Sequence, residues 1–496
     1  MDYFRYLPNR GVIKINDPKT AIITILLFMI SAKIVKFHKR KAYLDCGTYW
    51  CQIDDEDLGD ILKYLVGSEM TAAIPESQFE AVIKKMKSCP ELRVDWGKEE
   101  KEHQFEINLA NGVYDIKKKA LNTDRKKHPF TYCLNANYIN NCQLQQAPHF
   151  KRFVETSIGM ENYNCILRII GYVLSSLTKG RKAFVFQGKG GTGKSTLLNW
   201  LEAVVGEQFV SREPFHSMGS KESLARYVEK RVNISRENGV IPMRNEDGFK
   251  SLVSCEGITG RDVYSKAVSY VPTLKFIFGS NHDLCFLHPD DAVWDRLIVI
   301  MFNRTITERD LELDSKLYAE HDVIVSLALD TLPDLVSSGY DFKESAASKQ
   351  YIEIKRRELH APECFLEERC IIKPEGKVSK VALMRAYEVW SEENGLPVIG
   401  RNEFYDRVRR MDSCIKDQKV QVGSQRLNGF SGIALQVFEP AEEKKPGAEK
   451  NETPTTSRGK ERKGGDAYVS RLSRLIRHDF RKCNAERARF PLGMIF

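Results

Sequence analysis

Apolar positions recur at helical spacing between Pro148 and Leu177, where Ile166, Ile169, Ile170, Val173 and Leu174 share one side. Ahead of this stretch, residues 1 to about 145 mix short alternating and amphipathic runs. Tyr43–Trp50 reads as a hairpin turning at Cys46-Gly47, and Asp57–Val66 as an amphipathic helix. Phe105–Leu109 alternates as a strand, and Asn111-Gly112 turns the chain into Val113–Ile116. The run Ala21–Ile30 is apolar except for Thr24. It is shorter than the roughly 20 apolar residues of a membrane span and is followed by Lys33, Lys36 and Lys39, so a buried helix is expected. The amino terminus does not resemble a signal peptide, and a cytoplasmic protein without membrane segments is expected.

The middle of the chain changes character. The apolar run Ala183–Phe186 leads into Gly188-Lys189-Gly190-Gly191-Thr192-Gly193-Lys194-Ser195, and a helical pattern follows from Thr196. This is a complete GxxxxGK[ST] octet in its strand–loop–helix context. Glycines let backbone N–H groups converge on phosphates, and the helix amino terminus adds positive potential. Residues Gly188 to Thr196 are thus candidates to hold ATP, with Lys194 on the β/γ-phosphates and the Ser195 hydroxyl on Mg²⁺. Further strands are expected at Arg231–Ser235, Leu274–Ser280 and Leu297–Phe302, alternating with helical or irregular segments up to Arg357. The pattern then resets after Pro362. Helices Cys364–Cys370, Lys380–Asn394 and Arg401–Met411 precede strand-like Gln418–Val422 and Gly432–Phe438, a set that fits a winged-helix module.

Hydrolysis needs an acid beside the phosphates. Lys230–Ser235 is a short β-rich run, and Glu237 follows it as a candidate to position or deprotonate water and to join Ser195 on Mg²⁺. The bland alternative is a surface Glu paired with a neighbouring Arg. Asn281 ends the strand Lys275–Ser280 and is a candidate polar sensor of the γ-phosphate, or else simply starts a turn. Arg296, just before the last strand, could enter a neighbour's site as a finger, or pair with Asp291 or Asp295.

Composition adds direction. The 496 residues are 42% hydrophobic, enough for ordinary cores, with a formal charge of +9 that suits an anionic partner. Basic clusters occur at Lys36–Lys41, Lys117–Lys127, Lys355–Arg357 and Arg407–Arg410, and through the last fifty residues. Any one of them is an ordinary solvated face; several in an ATP-binding chain favour nucleic acid. The 12 cysteines form no CxxC pair, and Cys46 with Cys51 lacks the second pair a metal site needs, so reduced thiols are expected.

The order Gly188–Ser195, Glu237, Asn281, Arg296 resembles superfamily 3 helicases of the poxvirus and phage/plasmid primase-helicase branch. Asn108–Asp115, Gly171-Tyr172-Val173-Leu174, Phe249–Leu252 with Ile258–Arg261, Pro272–Asn281, Ala292–Leu297 and Ala386–Trp390 with Asn394–Leu396 are similar to successive stretches of that branch. The resemblance implies an α/β fold with an AAA+-like P-loop core, an α+β amino-terminal domain and a carboxyl-terminal winged helix. The segments expected are 1–145, a helical collar 146–180, the ATPase core 181–357, the winged helix 358–439, a disordered linker 440–466 and a basic amphipathic tail 467–496.

The same resemblance implies a homo-oligomeric ring, hexameric, that moves 3′→5′ on single-stranded DNA. Lys266 in the hairpin about Arg261–Val271, with Lys250 second, would touch the DNA backbone, the alternative for each being a plain surface lysine. Arg407 and Arg410, on or near the third helix of the winged helix, could meet an origin or fork, the alternative being a winged helix that docks a protein. The hundred or so residues before the helicase-associated segment leave no room for a full primase domain, so a separate primase or other replication protein is expected as a partner. Two other functions compete with an ATP-driven replicative helicase: an ATP-switched initiator that binds an origin without unwinding, and a small-molecule NTPase or kinase.

Overall fold

The computed structural model describes residues 7, 13–125, 129–236, 238, 241–256, 258–260, 268–270, 273–287, 289–304, 310–422 and 424–436. The chain forms two compact units that meet in sequence at Arg356 and Arg357.

The first unit begins with an antiparallel meander of β1 (Val35–His38), β2 (Lys41–Asp45) and β3 (Trp50–Ile53). Helices Ala21–Ala32, Asp55–Val66 and Glu76–Ser88 enclose a core that includes Ile25, Met29, Leu58, Ile61, Phe79 and Val82. The expectation of a buried helix at Ala21–Ile30 is corrected here. Ala21, Ile25 and Met29 are buried, whereas Ile23 and Leu27 are 64% and 60% exposed. Ile22, Leu26, Phe28 and Ile30 also pack partly against this core, so the exposed side is the stripe of Ile23, Leu27 and Ser31, and with so few polar residues the helix carries little pattern to mark it.

A second antiparallel meander follows, β4 (Glu106–Leu109), β5 (Gly112–Asp115) and β6 (Ala120–Asn122). The helical stretch before the phosphate loop is two helices, Pro148–Ser157 and Tyr163–Leu174. Gly159, at φ 87°, interrupts it in a conformation that β-carbon-bearing residues avoid. Ile166, Ile169, Ile170, Val173 and Leu174 are all buried, as their periodicity predicts.

The central sheet is built from β7 (Ala183–Gln187), β8 (Val210–Ser211) and β9 (Val232–Ser235). A separate antiparallel pair, β10 (Ile258–Gly260) and β11 (Val268–Tyr270), precedes its last members, β12 (Lys275–Ser280) and β13 (Leu297–Met301). The five strands lie in the order β13-β7-β12-β9-β8, all parallel. Every residue of β7 and β12 is buried. Strands covered on both faces read as continuous apolar runs, which is why they were visible in the sequence. All five carboxyl ends fall on one edge, where open parallel sheets place their ligand crevice.

In the second unit, helix Ala361–Arg369 leads into β14 (Cys370–Ser379). Helices Lys380–Asn394 and Arg401–Met411 follow, then β15 (Lys416–Val422) and β16 (Gln425–Leu435). The strands form an antiparallel sheet in the order β14-β16-β15. Phe365, Tyr387, Trp390, Phe404 and Phe430 fill the core, with the Tyr387 and Phe404 rings stacked at 4.4 Å. The sequence pattern left β14 out because Pro374 and Gly376 interrupt it. A register shift between Ile372 and Lys377 absorbs both residues, so the ladder resumes beyond them. The strand expected at Gly432–Phe438 lies earlier, at Gln425–Leu435. The linker 440–466 and the tail 467–496 lie outside the described residues.

Candidate functional site

The octet Gly188–Ser195 connects the carboxyl end of β7 to helix Lys194–Val205. Its root is tightly held. The Gly188 N–H donates to the Ser280 carbonyl at 3.1 Å. A β-carbon on Gly188 would sit 2.2 Å from the Phe302 carbonyl oxygen, so only glycine fits. Gly193 has φ +92°, and a β-carbon there would lie 2.8 Å from the Phe153 ring. Thr192 closes the loop by donating from Oγ1 to the Lys189 carbonyl at 2.9 Å.

Lys194 folds back over this loop. Its ammonium donates to the carbonyls of Gly188 at 2.7 Å and Lys189 at 2.8 Å. Burial lowers its pKa below the usual lysine value. No side chain caps the first turn of the helix, where Ser195 is exposed and Thr196 half-buried. An uncapped helix amino terminus beside a sequestered ammonium and a glycine-built loop suits a polyphosphate. The exposed Ser195 hydroxyl suits a phosphate-bound Mg²⁺. Glu237, the other expected metal ligand, lies outside the described residues; among them, no group of three or more His, Cys, Asp or Glu could hold a metal ion.

The neighbours of Glu237 are described. Arg236 is bound to the helix after the loop: its guanidinium pairs with Glu202, and Nε donates to Asn199 Oδ1 at 3.0 Å. Asn238 is buried and staples two strand ends together. Its Oδ1 accepts from the Phe215 N–H at 2.9 Å and the Ser235 hydroxyl at 3.0 Å, while Nδ2 donates to the Gly279 carbonyl at 2.9 Å. Asn281 follows β12 and is exposed. β12 pairs with β7 through Ser280 and Gln187, so Asn281 and the octet leave adjacent strands on the same edge.

Arg296 is at the other end of the sheet. Its carbonyl accepts from the N–H of Ala183, the first residue of β7. Gly188 is five residues further along, roughly 16 Å away at strand rise. The Arg296 guanidinium donates from Nε to Ser254 Oγ at 3.1 Å and from Nη1 to the Ala292 carbonyl at 2.7 Å. Asp295, its neighbour in sequence, is paired with Arg356.

The candidate DNA contacts are scattered. Lys250 is held by Asp247 at 2.8 Å and Asp290 at 2.9 Å, and these carboxylates raise its pKa. Lys266 lies outside the described residues, between β10 and β11. In the second unit Arg407 is bound by Glu363 and Glu403, both at 3.1 Å, while Arg410 is exposed. The cluster Lys355–Arg357 is not a solvated basic face. Lys355 pairs with Asp283 at 2.6 Å, Arg356 with Asp295, and Arg357 with Glu368 at 3.5 Å.

Two features of the sheet carried no mark in the sequence. Asp283 gathers partners from distant segments at the carboxyl edge. At the amino end, Lys275 is 2% exposed, and burial pushes its pKa down to about 8. Residues 186–296 match a family model described as a family of unknown function (DUF5906), and residues 32–159 match one described as D5 N terminal like. Two apo structures of the NrS-1 C terminal region align with 84% of this chain and 100% of their own, at 14% and 12% identity and TM-scores of 0.49 and 0.47. An Acanthamoeba polyphaga mimivirus protein named "Putative helicase L207/L206" is 23% identical over 212 residues, 40% of this chain. The chain covers 22% of that relative's length. By sequence it is thus similar to a D5 N-terminal-like domain over 32–159 and, over a longer alignment, to a viral protein named as a helicase.

Proposed function

We propose that the chain is an ATP-dependent replicative DNA helicase of a virus or mobile element. It works as a homo-oligomeric ring, hexameric, and moves 3′→5′ on single-stranded DNA. In this reading the central sheet is an AAA+-like P-loop core and the second unit is a winged helix that meets forked or origin DNA. The observation that carries it is the separation of Gly188–Ser195 and Asn281 at one edge of the sheet from Arg296 at the other. An arginine roughly 16 Å from its own loop suits a finger offered to a neighbouring subunit, and hence a ring. The helicase-named relative and the D5 N-terminal-like match support the same conclusion.

The residues divide the work. The amides of Gly188–Ser195 and the Lys194 ammonium bind the phosphates, trading the Gly188 and Lys189 carbonyls for phosphate oxygens. Ser195 and Glu237 hold Mg²⁺, and Glu237 takes the proton of the attacking water. Asn281 orients that water or the γ-phosphate through its amide. ATP with Mg²⁺ supplies the free energy of phosphoryl transfer to water. Backbone contacts to DNA suit a motor indifferent to sequence.

The test is strand displacement by purified protein on forks with 3′ or 5′ single-stranded tails, with ATP, beside Lys194→Ala. ATP-dependent displacement that needs a 3′ tail and vanishes in the variant is expected. DNA-stimulated turnover without displacement on any fork would instead favour an origin-binding ATP switch, and turnover indifferent to DNA a small-molecule NTPase.

A further inference from the structure

Asp283 lies two residues beyond Asn281 and binds three side chains. Gln187, the last residue of β7 and the one from which the phosphate loop springs, donates its side-chain amide to Asp283 Oδ1. The Tyr351 hydroxyl donates to the same oxygen at 2.9 Å. The Lys355 ammonium meets Oδ2 at 2.6 Å. Both Tyr351 and Lys355 belong to helix Ala346–Leu359. Gln187 is 8% exposed and Lys355 9%. Burial alone would raise the Asp283 pKa, but Lys355 and the two hydrogen bonds outweigh it and hold the carboxyl below the usual range.

This is an odd place for a charge pair if stability were its purpose. Lys355 is nearly buried while the Asp283 side chain is 42% exposed, and a pair that keeps one side in water contributes little net. What the network does fix is geometry. The loop root is already pinned on two sides, by the Ser280 carbonyl and by the close approach of Phe302. Asp283 adds a third hold, through the Gln187 side chain, and references it to a helix outside the sheet. Gln187, Tyr351 and Lys355 are none of the residues assigned above to the phosphates, so ground-state nucleotide binding has no direct need of them.

We propose that Asp283 is a positioning residue for ATP hydrolysis, with Lys355 and Tyr351 as its anchors. It sets the loop root against the strand end that carries Asn281. The proposal rests on the ATPase reading above. Its signature is a loss in kcat with little change in nucleotide affinity, because a small misplacement of reacting groups slows chemistry far more than it weakens binding.

The experiment compares full-length wild type with Asp283→Asn, Lys355→Met and the double variant. It measures kcat and KM for ATP, the Kd of a fluorescent ATP analogue, and Tm. Each single variant should lose roughly tenfold or more in kcat, with Kd within about threefold of wild type. Each should also lose some stability, since the Lys355–Asp283 pair is broken. The double variant removes both charges, so its Tm should recover while kcat stays low. A kcat that recovers with Tm, or single variants with wild-type kcat, would overturn the inference and leave a plain structural ion pair. A wild-type protein that neither binds nor hydrolyses ATP would overturn the ATPase reading and this inference together.

Discussion

Gly188 and Phe302 approach so closely that a β-carbon on the glycine would stand 2.2 Å from the phenylalanine carbonyl oxygen. Backbone cannot retreat as a flexible side chain can, so Gly188→Ala should move β13 or the loop root and cost about 2 kcal/mol or more. At Gly190 a β-carbon would meet nothing within 4 Å, and Gly190→Ala should leave stability within about 0.5 kcal/mol. Urea unfolding of the two variants checks the contrast; equal midpoints would show that the loop root yields.

Lys194 and Glu237 should fail differently. Lys194→Ala removes the ammonium that lies over the loop, so binding of a fluorescent ATP analogue should weaken at least about tenfold and turnover should vanish. Glu237→Gln keeps the volume but cannot accept the water's proton, so it should bind ATP and hold it unhydrolysed. Filter binding beside phosphate release separates the two; normal turnover in Glu237→Gln would remove that residue from the base role.

Arg296 is tied to Ser254 and Ala292 within its own chain, far from its own loop. Arg296→Ala should therefore fold, bind nucleotide with near-normal affinity and lose about 10³-fold in kcat, the scale of an arginine finger. Mixed with Lys194→Ala under conditions where subunits exchange, it should regain turnover at interfaces that pair an intact loop with an intact finger. Mixed assemblies without that recovery would place Arg296 outside a shared site.

The elements legible in the sequence are those whose pattern is local. β7 and β12 carry the apolar runs Ala183–Phe186 and Phe276–Phe278 because both faces are covered, and helix Lys380–Asn394 runs over the stretch its pattern marked. β14 was hidden because Pro374 and Gly376 sit in a bulge that only its partner strand defines. The exposed face of Ala21–Ala32 was hidden because Thr24 and Ser31 are too few polar residues to mark a side. Within the site, the glycines and Lys194 announce themselves by spacing. Asp283 does not, since its partners Gln187 and Lys355 come from segments far away in the chain. Lys355, Arg356 and Arg357 show the same limit. As sequence they are a basic run, and as structure each faces a different carboxylate.

Lys275 gives the first unit a pH dependence of known sign. It is 2% exposed, its ammonium donates to the Thr273 carbonyl at 2.5 Å, and burial brings its pKa from 10.5 to about 8. In the unfolded chain the same lysine holds its proton up to about pH 10.4. Between these values the unfolded state binds more protons than the folded one, so the Lys275 contribution to stability rises with pH across that window. Below pH 8 both states are protonated and the full cost of the buried charge, on the order of 3 kcal/mol, is borne by the fold. Lys275→Met removes the charge and keeps the length. Its stability advantage over wild type should be largest at or below pH 8 and shrink toward pH 10, whatever other groups titrate in both proteins. Parallel thermal melts of the two at pH 7, 8, 9 and 10 check this; a constant difference would show that Lys275 keeps an ordinary lysine pKa in the fold.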